Sequence, residues 1–173
     1  MASPDSARPA DAPAASRSRR TNVVLWVGLL GFFLFMQWPM LKGWVYRAAD
    51  RPVPPPAFTW HTSFAAAQAE AQHEGRRLFV DFQASWCPPC VVMAHDVWPD
   101  PEVGRALSAG FVPVSIDVDA DTEGVAAVYA VSGIPTVLVL DSGGRVLRRG
   151  TYMSRSQLLR FLAVDTSRGP AGR

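Results

Sequence analysis

Cysteine and histidine are scarce in this sequence, with two cysteines and three histidines among 173 residues. A disulfide-rich scaffold is excluded, because domains of that kind need several cysteine pairs. A four-cysteine zinc site is excluded for the same reason, and the histidines stand too far apart in sequence to suggest a mixed site. No metal ion or other cofactor is therefore predicted. The histidines are His61, His73 and His95.

The chain also lacks a strong excess of one charge, since 17 Lys and Arg residues face 15 Asp and Glu residues. Seven of the basic residues lie within residues 1–51, where three acidic residues occur. Residues 58–173 carry ten arginines and twelve acidic residues, so this part is mildly acidic. A nucleic-acid-binding domain needs a basic patch on its folded part. We therefore expect no nucleic-acid partner.

Charged residues are absent from residues 23–41, a run of nineteen in which Gln37 is the one strongly polar side chain. A helix of that length rises about 28 Å, close to the hydrocarbon thickness of a bilayer. Trp26 near one end, with Trp38 and Trp44 near the other, match the aromatic belts of membrane interfaces. The sequence predicts one transmembrane helix here, in contact with the lipid bilayer.

Basic residues beside this apolar segment predict its orientation. Arg17, Arg19 and Arg20 precede it closely, and the basic residues that follow it are more widely spread. The positive-inside rule then favours a cytoplasmic N-terminus. We expect a single-pass protein of the bacterial cytoplasmic (inner) membrane, with its C-terminal domain in the periplasm.

Two alternative interpretations of the apolar segment remain open. A signal peptide has an apolar region of about 7–15 residues. That is shorter than this segment, although Ala48-Ala49 could offer a cleavage site. The Arg19-Arg20 pair could indicate twin-arginine export, but arginines are ordinary flanks of an apolar segment. A retained anchor is the favoured interpretation.

The segments around the anchor differ from it in composition. Residues 1–22 are rich in Ala, Ser, Pro and Arg and predict a disordered tail, as do residues 166–173. Residues 42–57 predict a proline-rich spacer that is extended over 51–57. Residues 58–165 are long enough for one folded domain.

The domain alternates between helical and extended patterns, which predicts an α/β fold with a central mixed sheet and helices on both faces. Its first helix has a candidate cap at each end, Thr62 or Ser63 and Gly75. The predicted strands are 78–83, 111–118, 136–140 and 146–149. The predicted helices are 64–74, 88 to about 108 with an interruption near Pro99 and Pro101, 122–130, and one that opens at Ser154.

Both cysteines lie in Trp86-Cys87-Pro88-Pro89-Cys90, between a predicted buried strand and a predicted helix. A disulfide over so short a loop removes little unfolded-state entropy, so stability alone does not account for it. A helix N-terminus favours a thiolate over a thiol. The pair is therefore predicted to be redox-active; a metal-binding pair and an inert structural disulfide are the alternatives. We expect Cys87 to be the more exposed, attacking thiolate and Cys90 to resolve the mixed disulfide.

Two further stretches accompany the cysteine motif. Val80-Asp81-Phe82 precedes it, and Gly133-Ile134-Pro135-Thr136 follows it at a distance. With the order of elements, these residues resemble the thioredoxin superfamily. The lead-in to the first strand and Asp100-Pro101-Glu102-Val103 are most similar to the C-terminal thioredoxin-like domain of the bacterial transmembrane disulfide reductase. The resemblance covers residues 58–165 and implies a thioredoxin-like fold behind the anchor.

The resemblance also implies roles for residues near the cysteines. Ile134 would face them, and the peptide bond from Ile134 to Pro135 would be cis, so that the neighbouring backbone could bind a client peptide. Asp81 would be the buried acid that moves a proton to or from Cys90. The alternative for Asp81 is a structural aspartate at the end of a sheet.

One position of the motif has a counterpart in the family, whereas the Pro88-Pro89 pair differs from the common Gly-Pro and Gln83 departs from the family as well. Trp86 matches the aromatic residue that packs beside the site, although a core tryptophan would give the same sequence. Pro88 and Pro89 have no N–H and stiffen the loop between the cysteines. Gln83 stands where thioredoxins usually carry a second tryptophan, and no lysine partner of the buried acid is evident. The reduction potential can therefore differ from that of thioredoxin in either direction.

Together these features predict a membrane-anchored thiol–disulfide oxidoreductase that acts on extracytoplasmic proteins. Its partners would be client proteins with disulfides or thiols, and a membrane electron donor. Ile134 resembles the residue of reducing members, whereas oxidases and isomerases often carry Val or Thr, so a reductase is favoured. The alternative is a tethered thioredoxin-fold chaperone or assembly factor, for example in cytochrome or oxidase maturation, with little turnover of its own.

Overall fold

The computed structural model describes residues 16–166, and the tails predicted within 1–15 and 167–173 lie outside the described residues. The chain divides into two compact units, residues 1–38 and 39–173.

The first unit contains helix α1, Ser16–Met36. Its large apolar side chains from Val23 onward are exposed. Because α1 begins at Ser16, residues 16–22 are helical, although they were expected to belong to a disordered tail.

Helix α1 ends at Met36, and helix α2 follows as Trp38–Ala48. Pro39 explains the break, because it has no N–H to donate and its ring clashes with the carbonyl four residues earlier in a continuous helix. The single helix expected over residues 23–41 is therefore divided at Gln37. Among the described residues, no single helix is both long and apolar enough to cross a membrane; α1 and α2 meet that requirement only together, as a bent pair.

The sheet of the second unit is mixed, as predicted. Its strands are Arg77–Gln83, Phe111–Asp117, Thr136–Leu140 and Val146–Gly150, numbered β1 to β4. They lie in the order β2-β1-β3-β4, with β1 parallel to β2 and antiparallel to β3, and β4 antiparallel to β3. Every residue of β1 from Leu78 to Phe82 is buried, as is typical of a central strand covered on both faces.

Helices pack on the sheet at the places that the sequence predicts. They are Phe64–Glu74, Pro88–Asp96, Pro101–Gly110, Val125–Val128 and Arg155–Thr166, numbered α3 to α7. Helices α4 and α5 are separate because of the prolines between them. Helix α6 is shorter than the predicted 122–130. The Asp121 carboxylate accepts hydrogen bonds from the Val125 and Ala126 N–H groups, at 3.0 and 2.7 Å, and so fixes a later start.

Local capping signals set the ends of α3 and the start of α7. Ser63 Oγ accepts a hydrogen bond from the Ala66 N–H at 3.2 Å, and Gly75 ends α3 in a left-handed conformation with a φ of 65°. The Ser154 N–H donates to the Gln157 side-chain oxygen at 2.8 Å, as the expected capping box requires.

The hydrophobic core consists of two clusters, one on each face of the sheet. Successive side chains of β1 point to opposite faces, so Phe79 belongs to one cluster and Leu78 and Val80 to the other. Helices α4, α5 and α7 cover the Phe79 face, and α3 and α6 cover the opposite face. By the same alternation, Asp81 lies on the Phe79 face, on the side of α4.

Candidate active site

The two cysteines lie in the connection from β1 to α4, where Cys87 is the N-cap residue of the helix. Pro88 and Pro89 occupy the first positions of α4, where a backbone N–H would have no partner inside the helix. The Cys90 N–H is therefore the first donor of α4, and it donates to Cys87 Sγ at 3.3 Å. The two sulfurs form a disulfide, with the Cα atoms 5.3 Å apart.

Both cysteines are buried, with 2% of Cys87 and 5% of Cys90 exposed. The prediction that Cys87 is the more exposed of the two is therefore wrong. Helix α2 packs against the residues on either side of it. Gly43 lies against the Pro88 backbone, and the Arg47 guanidinium donates to the Trp86 carbonyl at 2.6 Å. This packing covers a helix start that would otherwise face solvent.

Trp86 lies at the surface beside Cys87, with 53% of the residue exposed. Its indole N–H donates to the Asp119 carboxylate at 2.6 Å, which fixes the ring against the loop after β2. The alternative of a core tryptophan is therefore wrong.

Asp81 lies within β1, opposite Ser115 and Val137, and not at the end of the sheet. The residue is 3% exposed, and its Oδ1 atom has no hydrogen-bond partner among the described residues. Burial raises the pKa of this carboxyl to about 7, because the charged form is poorly solvated in the interior. A buried acid with such a pKa can accept or release a proton near neutral pH.

A cavity of about 230 Å³ joins Asp81 to Cys90. It has room for several water molecules, since each occupies about 30 Å³ of the liquid. A proton could therefore pass between the acid and the second thiol through water in this cavity. The cavity is lined by Val53, Pro54, Pro56, Trp60, Asp81, Gln83, Cys90, Ala94, Trp98 and Ser115.

The Ile134–Pro135 peptide bond is cis, as the resemblance predicts. Phe82 pairs with Thr136, so this bond lies at the end of the sheet from which the connection to Cys87 leaves. A surface cavity of about 480 Å³, lined by residues 132–136 and 149–151, runs beside it. The sheet thus brings the cysteine loop and the proline loop to one edge of the domain.

The first part of the predicted spacer over residues 42–57 belongs to helix α2 and contacts the rest of the domain. Lys42, Gly43, Tyr46 and Arg47 all contact the loop before α4 or α4 itself. Residues three and four apart share one face of a helix, and that spacing is the signal that sequence reasoning could have used. The part that lacks helix and strand, as expected, is the proline-rich one.

Three features of this site occur together: a disulfide with a sequence separation of 3 at a helix start, a buried acid across a cavity and a cis-proline at the same end of the sheet. Each serves the making and breaking of disulfides. The site is that of a thiol–disulfide oxidoreductase.

The chain belongs to the thioredoxin-like family, whose sequence model matches residues 59–142. Thioredoxin from Mycoplasma genitalium is 30% identical over 88 residues, which are 49% of this chain and 78% of that protein. The thiol:disulfide interchange protein DsbD from Cronobacter sakazakii is 33% identical over 86 residues, which are 48% of this chain and 15% of that protein. The solution structure of a thioredoxin from Thermus thermophilus matches with a TM-score of 0.58 and 31% identity, over 65% of this chain and 90% of that one.

Proposed function

We propose that the protein is a membrane-anchored reductase of protein disulfides outside the cytoplasmic membrane. The observation that carries the proposal is a cavity lined by both Asp81 and Cys90, with Cys90 joined to Cys87 at the start of α4. These residues supply an attacking thiol, a resolving thiol and an acceptor for the second proton. Ile134, the residue before the cis-proline, supports the reducing direction because it resembles reducing members of the superfamily.

The reaction starts from the reduced protein. The Cys87 thiolate attacks one sulfur of a client disulfide, a bond between Cys87 and the client forms, and the other client sulfur leaves as a thiolate and takes up a proton. Cys90 then loses its proton and attacks Cys87 Sγ, which releases the second client thiolate. Two electrons pass to the client, and the Cys87–Cys90 disulfide remains, as in the structure. A membrane electron donor with a dithiol would restore the reduced protein.

Asp81 is the acceptor of the Cys90 proton. The cavity links the two groups, and burial raises the pKa of Asp81 to about 7. With that pKa, an appreciable fraction of Asp81 is ionised near neutral pH and can accept a proton there. Asp81 then returns the proton to the departing client thiolate.

The membrane anchor is proposed for residues 23–41. The segment is uncharged, its large apolar side chains along α1 are exposed, and arginines precede it. A long C-terminal domain can be translocated largely regardless of its own charge. The N-terminus would then be cytoplasmic and the thioredoxin-like domain periplasmic.

Single-cysteine labelling tests this topology. In a chain with Cys87→Ser and Cys90→Ser, Val128→Cys supplies an exposed thiol on the domain. A membrane-impermeant maleimide is expected to label it in spheroplasts, whose cytoplasmic membrane is intact. Ser6→Cys in the same background is the control, and it should react only after lysis. The reverse pattern would contradict the periplasmic assignment.

The reducing direction predicts a low reduction potential for the Cys87–Cys90 pair. Thioredoxin lies near about −270 mV, and a strong periplasmic oxidant near about −120 mV. We expect a value below about −200 mV, measured by equilibration in glutathione buffers. Ile134→Thr is the matched variant and should raise the potential, because oxidases and isomerases often carry Thr there. A wild-type value near that of the oxidant would contradict a reductase.

A further inference from the structure

Helix α2 covers the start of α4 on both sides of Cys87. A Cβ atom built on Gly43 would lie 2.1 Å from the Pro88 carbonyl oxygen, so a residue with a side chain could not approach this closely. One helical turn further along α2, the Arg47 guanidinium donates to the Trp86 carbonyl at 2.6 Å. Helix α2 thus contacts both the residue before Cys87 and the residue after it.

A second set of contacts joins α2 to the last turn of α4. The Lys42 ammonium and the Tyr46 hydroxyl donate to the Asp96 carboxylate at 2.5 and 3.0 Å, and the Tyr46 ring lies 4.5 Å from the His95 ring. The Lys42 and Asp96 side chains are 32% and 33% exposed, and ion pairs exposed to water contribute little to stability. The docking of α2 can therefore be reversed.

We propose that α2 is an intramolecular lid, docked on the surface that a client protein must reach. The inference rests on the proposed function, because it concerns the access of clients to the same cysteines. A client sulfur must come within bonding distance of Cys87 Sγ, and a residue that is 2% exposed leaves no room for it. The lid opens before exchange, so the observed rate is the intrinsic rate multiplied by the open fraction.

The segment after α2 allows the lid to move off the cysteines while it stays tethered close to them. Residues 51–57 are exposed, and residues 51–56 form neither helix nor strand. Their far end is fixed, since the Ala57 N–H donates to the Trp98 carbonyl at 2.8 Å and Ala57 packs against Gly104 of α5. A lid tethered at Ala57 stays near the cysteines and can close again after each turnover.

The first test measures how fast a small maleimide alkylates Cys87 in the full chain. Cys90→Ser provides the background, so that Cys87 is the single thiol. Gly43→Leu places a side chain where the Pro88 backbone lies and forces α2 away, so we expect alkylation to be at least about tenfold faster. Gly28→Leu is the matched control, because a Cβ at that position meets nothing within 4 Å beyond its chain neighbours and its own helix backbone; its rate should equal that of the background.

The second test reverses a charge and then restores the pair. Lys42→Glu sets two carboxylates against each other, and we expect alkylation to be about two- to fivefold faster. Adding Asp96→Lys should return the rate toward that of the background. If Gly43→Leu does not fold, the comparison of Lys42→Glu with the double variant tests the lid. Faster alkylation that Asp96→Lys reverses supports the lid, and no acceleration or no reversal overturns it.

Background rates in both Gly43→Leu and Lys42→Glu, with the thermal midpoint of the domain unchanged, would overturn the lid. Alkylation of one thiol needs neither a client nor an electron donor. A negative result in the alkylation tests would therefore leave the proposed reductase function untouched. Evidence against the reductase function would likewise leave the lid proposal untouched.

Discussion

Cys90→Ser is expected to accumulate disulfide-linked complexes with client proteins, and Cys87→Ser is expected to accumulate none above background. Cys87 is the N-cap of α4, and its Sγ accepts a hydrogen bond from the Cys90 N–H. Such a donor stabilises a thiolate better than a thiol. Cys90 lies inside the first turn and borders the cavity that holds Asp81. Without the second thiol, attack by Cys87 proceeds but the mixed disulfide is not resolved.

The complexes would be separated on non-reducing gels from cells in which exchange has been stopped with acid. The matched control is the chain with both serines, which defines the background. Equal trapping by the two single variants, or better trapping by Cys87→Ser, would contradict the assigned roles. An absence of trapping by either variant, together with unchanged non-covalent capture of clients, would favour a chaperone or assembly factor.

Asp81→Asn is expected to make the oxidised protein more stable than the wild type above pH 7, with the difference vanishing near pH 4. Burial raises the pKa of Asp81 from 3.8 to about 7 in the folded protein. Between these values the unfolded chain has lost the proton that the folded protein keeps, so the free energy of unfolding falls as pH rises. The slope is about 1.4 kcal/mol per pH unit, and the total is at most about 4 kcal/mol. An amide does not ionise and escapes this loss.

Chemical denaturation of both proteins from pH 4 to pH 8 measures this effect. Glu123→Gln is the control of opposite sign, because a hydrogen bond from the Ala65 N–H lowers the pKa of Glu123. The stability that this carboxylate contributes is present above its ordinary pKa and is lost as pH falls. Glu123→Gln should therefore have a lower free energy of unfolding than the wild type at pH 7. Parallel stability curves for the wild type and Asp81→Asn would show that Asp81 does not keep its proton.

The sequence alone was enough to predict the order of helices and strands, because local chemistry sets their ends. Ser63 and Gly75 cap α3, and the prolines near residue 100 separate α4 from α5. The cysteine pair and the cis bond before Pro135 were also expected, the first from a motif that follows β1 and the second from the family resemblance.

Burial of the cysteines could not be predicted from the sequence in the same way. It depends on contacts between residues far apart in the chain, such as Lys42 with Asp96 and Gly43 with Pro88. The composition of residues 42–57 indicates a linker, and the spacing within α2 indicates a shared helix face but not the surface on which that face docks. The break at Gln37 is different, because Pro39 was visible and its effect on a continuous helix follows from its ring.

The cavity wall formed by Val53, Pro54 and Pro56 has a practical consequence for enzymology. A domain trimmed to residues 58–173 would lose this wall, and bulk water would reach Asp81. Solvation favours the charged carboxylate, so the pKa of Asp81 would fall toward its ordinary value. The trimmed domain and the full chain would then follow different pH–rate profiles, and rate constants measured on one would not describe the other.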